Sequence, residues 1–135
     1  MAMNGISPRI DTDIPAIKAV TDAEETLTET GGTVTTDGTE QNIYIANAPA
    51  GLFNPICLKL DCTAHTGAET IIIRTYYRIK AGGNYIAQTV STYAGVITPA
   101  LLSILLQPNR FGIKVTINKT VGTNRAYDWE VMYGV

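Results

Sequence analysis

Charge is what this chain has least of. Charged residues fill 16% of its 135 positions, against about 25% in typical soluble domains. The shortfall leaves two readings of the surface. Either other subunits cover part of it, or Thr, Asn and Gly make it polar without charge. Histidine is almost absent: His65 stands alone. With no second histidine and no thiol pair at ligand spacing, no metal site is expected, and His65 reads as an exposed turn residue. A Ser-His-acid triad would have to use that one imidazole, and no Gly-x-Ser-x-Gly motif occurs. Cysteine is also scarce. Cys57 and Cys62 are five apart in one strand-like run, so they point to opposite faces. An extended run separates them by roughly 17 Å, beyond disulfide reach, so both are expected as free thiols. Met1 to Arg9 lacks a continuous apolar core, so no signal peptide is expected. The longest apolar stretch, near Pro99 to Leu106, is too short to span a bilayer. The net charge of −2 argues against a simple nucleic-acid binder.

The charge that is present is unevenly placed. Residues 1–40 carry eight acids and two bases, giving −6, and residues 41–135 carry four acids and eight bases, giving +4. An acidic arm on a mildly basic body suits association between copies. It equally suits a solvated arm.

Length fits one domain, with a division expected between an arm at 1–30 and a β domain at 31–135. Asp13 to Glu29 is the one helix candidate. Asp11, Thr12 and Asp13 offer capping oxygens, Pro15 suits a first turn, and Gly31-Gly32 would end it. Ile14, Ile17, Val20 and Leu27 form its apolar side, and so short a helix needs a surface to pack on.

From Thr33 the period changes to two. Asp37-Gly38 reads as a turn into a strand at Gln41 to Ala46. Ile56, Leu58, Leu60 and Cys62 alternate with Cys57, Lys59 and Asp61. Glu69 to Lys80 reads as one long strand, with Ile71, Ile73, Thr75, Tyr77 and Ile79 on the inner face. Gly82-Gly83-Asn84 turns into a strand at Tyr85 to Tyr93. Leu101 to Leu106 is nearly all apolar and is expected to be buried on both faces. Phe111 to Lys119 and Arg125 to Tyr133 complete about eight strands. Short turns and no intervening helices predict a mostly β fold, an antiparallel jelly-roll-like β-sandwich. A closed barrel is the alternative.

Few residues suggest chemistry. Asp11, Asp13, Asp22, Glu24 and Glu25 superficially match calcium ligands, but Pro15 and Ala16 sit where the loop glycine should be. Asp128 and Glu130 share a strand face at a spacing that glycosidases use. The opposite face, Tyr127, Trp129, Val131 and Tyr133, reads as core, which explains the acids as solvent-facing. Ile72, Arg74, Tyr76, Arg78 and Lys80 form a basic stripe with an aromatic in it. Such a stripe could bind a nucleic-acid strand, bind an acidic protein arm, or simply face solvent on snorkelling stems.

Three segments carry a family likeness: Thr35-Thr36-Asp37-Gly38-Thr39-Glu40-Gln41; Tyr76-Tyr77-Arg78-Ile79-Lys80 with Gly82-Gly83; and Pro108 to Thr116 through Asp128-Trp129-Glu130. They resemble small β-sandwich accessory virion proteins of tailed phages, archaeal viruses and their proviruses. The likeness covers about residues 33–133 and rests on strand and turn patterns. It implies capsid decoration, head-fibre or other accessory parts that form cyclic oligomers, often trimers. It implies no catalytic residue and no cofactor. The expectation is therefore a non-enzymatic, self-assembling structural protein of the virion or the host cytoplasm. Its partners would be copies of itself and other virion proteins, with no membrane partner. The candidate interface is Ile14, Ile17, Val20 and Leu27 with Arg74, Tyr76, Arg78 and Lys80. The alternative is a carbohydrate- or other ligand-binding β-sandwich module.

Overall fold

The computed structural model describes residues 27–47, 49 and 52–134. Among them are eight strands: β1 (Leu27–Thr35), β2 (Glu40–Asn47), β3 (Asn54–Asp61), β4 (Thr70–Tyr77), β5 (Ile86–Ala94), β6 (Leu101–Leu105), β7 (Gly112–Val121) and β8 (Ala126–Gly134). They form two four-stranded antiparallel sheets, ordered β1-β8-β3-β6 and β2-β7-β4-β5. Only β4 and β5 are joined as a hairpin within one sheet; every other connection crosses between sheets. This is the jelly-roll arrangement, as the short alternating runs predicted.

The inner faces supply one core. Leu58, Leu60, Ile71, Val115, Ile117, Tyr127 and Val131 are fully buried, each contributing about 1.5–3 kcal/mol of transfer free energy. Trp129 and Tyr133 line the same face of β8, half-buried. Tyr44 meets Trp129 edge-on at 6.0 Å between centroids, and Phe53 meets Tyr133 at 5.3 Å.

Several local expectations are corrected. The helix expected over 13–29 lies outside the described residues up to 26, and 27–29 belong to β1. Gly31-Gly32 does not end a helix. It pairs with Glu130 and Trp129 inside β1, and a Cβ on Gly31 would meet the Trp129 carbonyl oxygen at 2.7 Å. The division expected at 30/31 therefore falls within a strand. A register shift between Pro55 and Cys57 buries Pro55 and turns Ile56 outward, against the expected alternation. β6 starts pairing with β3 only at Cys57, which is why β3 tolerates Pro55. β4 ends at Tyr77 rather than Lys80. Beyond it, Ile79 points to solvent and Arg78 is buried, the reverse of the predicted faces.

Candidate assembly surface

The predicted basic stripe does not exist as a free surface. Arg74 and Tyr76 do share the outward side of β4, but both turn to Glu40 on β2. Tyr76 Oη donates to Glu40 Oε2, Thr116 Oγ1 donates to the same oxygen at 2.6 Å, and Arg74 lies 3.7 Å from Oε1. The Thr116 and then the Tyr76 hydrogen bonds hold the Glu40 carboxyl below its ordinary range, against the effect of burial. Burial first, and then Glu40, push the Tyr76 phenol up. Lys114 Nζ sits 4.5 Å above the Tyr76 ring. Arg78 leaves this face altogether. Its Nε donates to the Phe111 carbonyl and an Nη to Asn47 Oδ1, both at 2.8 Å, and its guanidinium lies 4.7 Å above Tyr85. Lys80 is exposed in the turn after β4. Ile14, Ile17 and Val20 lie outside the described residues. Leu27 opens β1 on the opposite edge of the other sheet.

His65 is not an exposed turn residue. It is buried, with Nδ1 2.8 Å from the hydroxyl of the fully buried Tyr127. Nearby, Glu69 is removed from solvent. It accepts from Thr66 N at 3.0 Å, Thr66 Oγ1 at 2.8 Å and Arg125 Nε at 2.9 Å. This end of the sandwich ties the β3–β4 connection to β8 through polar contacts that are nearly all satisfied, a structural arrangement.

Asp128 and Glu130 lie outward on β8 beside Asp61 and Lys59 of β3, as the alternation predicted. They border a shallow groove of about 280 Å³ with Leu101 and Trp129. Three of its polar groups, Asp128, Asp61 and Lys59, are engaged within the chain. Thr33 Oγ1 donates to Asp128 at 2.6 Å, Thr63 Oγ1 to Asp61 at 2.5 Å, and Lys59 Nζ to Ser103 at 2.5 Å. The Thr63 side-chain and backbone hydrogen bonds keep the Asp61 carboxyl low, so it is held as a base-form acceptor and not as a proton donor.

The surface with unmet bonding capacity is elsewhere, and composition marks it. From Ala81 to Asn109 there is no Asp, Glu, Lys, Arg or His. That stretch folds into β5 and β6, the end strands of the two sheets, on the same side of the sandwich. Every residue of β5 except the half-buried Tyr93 is exposed. β5 hydrogen-bonds to β4 alone and β6 to β3 alone, so each presents one open row of backbone N–H and C=O groups. Ile86, Val90, Val96, Leu101 and Leu105 are 57–73% exposed. A groove of about 530 Å³ runs between the two strands, with Tyr93, Val96, Ile97 and Leu102 in its wall. The expectation that β6 is buried on both faces is thereby corrected. Leu102 and Ile104 pack inward, while Leu101 and Leu105 face out, because β6 is an end strand. The other two end strands each carry an acid, Glu29 on β1 and Glu40 on β2. The signal for this surface was in the sequence as a long gap between charges, Lys80 to Arg110.

No family model matches the chain, and no curated protein matches it. Solved structures with a similar chain path include a protein of the disulfide-linked pili of Bacillus endospore appendages, at 20% identity and TM-score 0.45, over 82% of this chain and 90% of that one. PirA is similar at 11% identity and TM-score 0.44, over 84% and 98%. VP2 of an infectious bursal disease virus subviral particle is similar at 14% identity and TM-score 0.45, over 84% of this chain and 33% of VP2. This chain thus spans about a third of VP2's length. At these identities and scores, the likenesses carry no argument about what this chain does.

Proposed function

We propose that this protein is a non-enzymatic structural subunit that assembles with copies of itself through the β5/β6 edge. The observation that carries the reading is the uncharged stretch from Ala81 to Asn109, which puts two unpaired end strands on one side of the fold, with five exposed aliphatic side chains on these strands and the loop between them. Proteins that stay monomeric blunt such edges with lysine, proline or a covering segment. Among the described residues, neither β5 nor β6 carries any of these; β5 has one bulge, at Gln88, and runs regularly from Thr89 to Ala94, while β6 is short. Exposed aliphatics beside open backbone groups favour partners that bring strands and apolar surface rather than charge.

In finer terms, the protein is an accessory virion part such as a capsid decoration or head-fibre protein. The likeness of its strand and turn motifs to that group supports this. The ligand-binding alternative loses the support of Tyr127, which is fully buried, while Trp129 is half-buried against Tyr44 and borders the groove beside Asp128. No stacked aromatic platform faces outward on β8.

Light scattering coupled to size exclusion, on the full chain over a range of concentration and salt, tests the reading. A multiple of the chain mass that salt leaves unchanged supports assembly through an uncharged edge. A multiple that salt dissolves would assign assembly to the acidic N-terminal residues and the basic body. The chain mass throughout would overturn self-assembly.

A further inference from the structure

The two end strands of the proposed edge differ in what they can do. β6 has five residues and β5 has nine. A nine-residue strand is about 30 Å long. Two stacked sheets about 10 Å apart with their outer side chains make an edge roughly 20 Å deep, so the full edge presents on the order of 600 Å² per copy and a pair buries about 1,200 Å², the lower end of stable specific interfaces. β6 alone reaches half that length.

We infer that the occupant of the β5 edge is β5 of a second copy, paired antiparallel about a two-fold axis at Val90. This deepens the self-assembly reading and rests on it. The strand suits its own reverse. With Val90 opposite Val90, Thr89 faces Ser91 and Gln88, where β5 bulges against β4, comes opposite Thr92, so the regular pairing is centred on Thr89 to Ser91. Opposed β-branched and small residues pair well across strands, and no two like charges meet, because the strand has none. The pairing joins the two β2-β7-β4-β5 sheets into one of eight strands. It also uses up the open row of β5 on both copies, so the contact closes on itself, while the shorter β6 keeps its own row. Pairing β5 with β6 of a neighbour would instead run head to tail, closing only where the rotation completes a ring. Acidic partners gain little here, since β5 and β6 carry no base and the bases on the strands beside them are engaged, Lys59 with Ser103 and Arg74 with Glu40. The two-fold contact predicts an even number of copies in place of the trimer that the family likeness implied.

The test is a cysteine ladder in the full chain on a Cys57→Ser background, which removes the half-buried native thiol and leaves only the buried Cys62. Directly opposed residues of an antiparallel pair have Cα atoms about 4.5–5.5 Å apart, within disulfide range. Under the proposed register the two Thr92 residues are about 13 Å apart. Val90→Cys should therefore convert to a species of twice the chain mass on a non-reducing gel under mild copper-phenanthroline oxidation. Thr92→Cys and the background should stay at the chain mass. Doubling of Ser91→Cys with Val90→Cys unchanged would overturn the register, and doubling of Leu105→Cys alone would move the contact to β6. If light scattering shows an oligomer but no β5 cysteine cross-links, strand pairing fails while self-assembly stands. If light scattering shows only single chains, both fail.

Discussion

Glu69 and Arg125 meet at 2.9 Å with the carboxylate fully removed from solvent and the guanidinium partly exposed. The pair fastens the start of β4 to the turn before β8, and Thr66 supplies the carboxylate's other two hydrogen bonds. Burial alone would raise the Glu69 pKa. The Thr66 hydrogen bonds and then Arg125 outweigh it, so the folded-state value lies below the ordinary 4.5. A carboxyl whose pKa is lowered by folding contributes stability above its ordinary value and loses it as pH falls through the folded value. Glu69→Gln should lower the melting temperature at neutral pH and flatten the loss of stability below pH 4.5. Thermal melts followed by circular dichroism across acid pH read both effects. An acid limb identical to that of the unmodified chain would show that this pair does not govern acid unfolding.

The opposite end of the pH scale tests the same region. Burial first, and Asp61 second, push the Cys62 thiol from 9.0 to about 11. Burial, followed by Cys62 and Glu69, pushes the Tyr127 hydroxyl from 10.0 to about 12. Groups whose pKa rises on folding contribute stability below the ordinary value and lose it as pH rises towards the folded value. Stability should thus decline from about pH 9 upward, and Cys62→Ala should remove the earlier part of the decline. Denaturant midpoints at successive alkaline pH values measure it. A midpoint that holds steady to pH 11 would contradict the burial of both groups.

Tyr127→Phe leaves His65 Nδ1 without its 2.8 Å partner inside the core. The expected cost is about 1–3 kcal/mol, read as a shift of the urea midpoint at unchanged slope. A neutral result would mean that water reaches His65.

Two glycines separate backbone strain from crowding. Gly38 and Gly122 both have positive φ, 87° and 92°. A Cβ on Gly38 meets nothing within 4 Å, whereas one on Gly122 would lie 2.6 Å from the Ala68 carbonyl oxygen. Gly38→Ala should cost about 1–2 kcal/mol, the left-handed penalty alone. Gly122→Ala should cost clearly more, because the atom in the way is backbone. Equal midpoints for the two variants would contradict the close approach at Gly122.

These contacts also show what the sequence could disclose. The period-two runs placed nearly every strand, since a half-buried strand must alternate. Gly38 and Gly82 marked turns that do require positive φ. The failures have particular physical causes. Bulges do not show in composition, so Ile56 was given to the wrong face. Residues 27–29 read as the end of a helix because their partner strand, β8, lies about 100 residues away. Arg78 looked solvent-facing because nothing local revealed the Phe111 carbonyl and Asn47 that hold it. β6 looked doubly buried because an apolar run reads the same in a central strand and in an exposed end strand. The candidate surface was legible only as an absence, the gap in charge from Lys80 to Arg110.

Arg78 and Val90 separate folding from assembly. Arg78→Ala should cost about 2–3 kcal/mol through its lost charged hydrogen bonds and leave the oligomer mass unchanged at temperatures where the chain stays folded. Sizing and melts on the same sample decide it. Loss of the oligomer with an unchanged melting temperature would return Arg78 to the interface.

The most direct test of assembly through the uncharged edge is the mass of the full chain, by light scattering, beside that of the double variant Val90→Lys, Leu105→Lys. Lysines on end strands oppose edge pairing without entering the core. The account predicts a multiple of the chain mass for the unmodified protein and a single-chain mass for the variant, with the same far-ultraviolet circular dichroism. An unmodified protein that stays at the chain mass, or a variant that keeps the multiple, would contradict it.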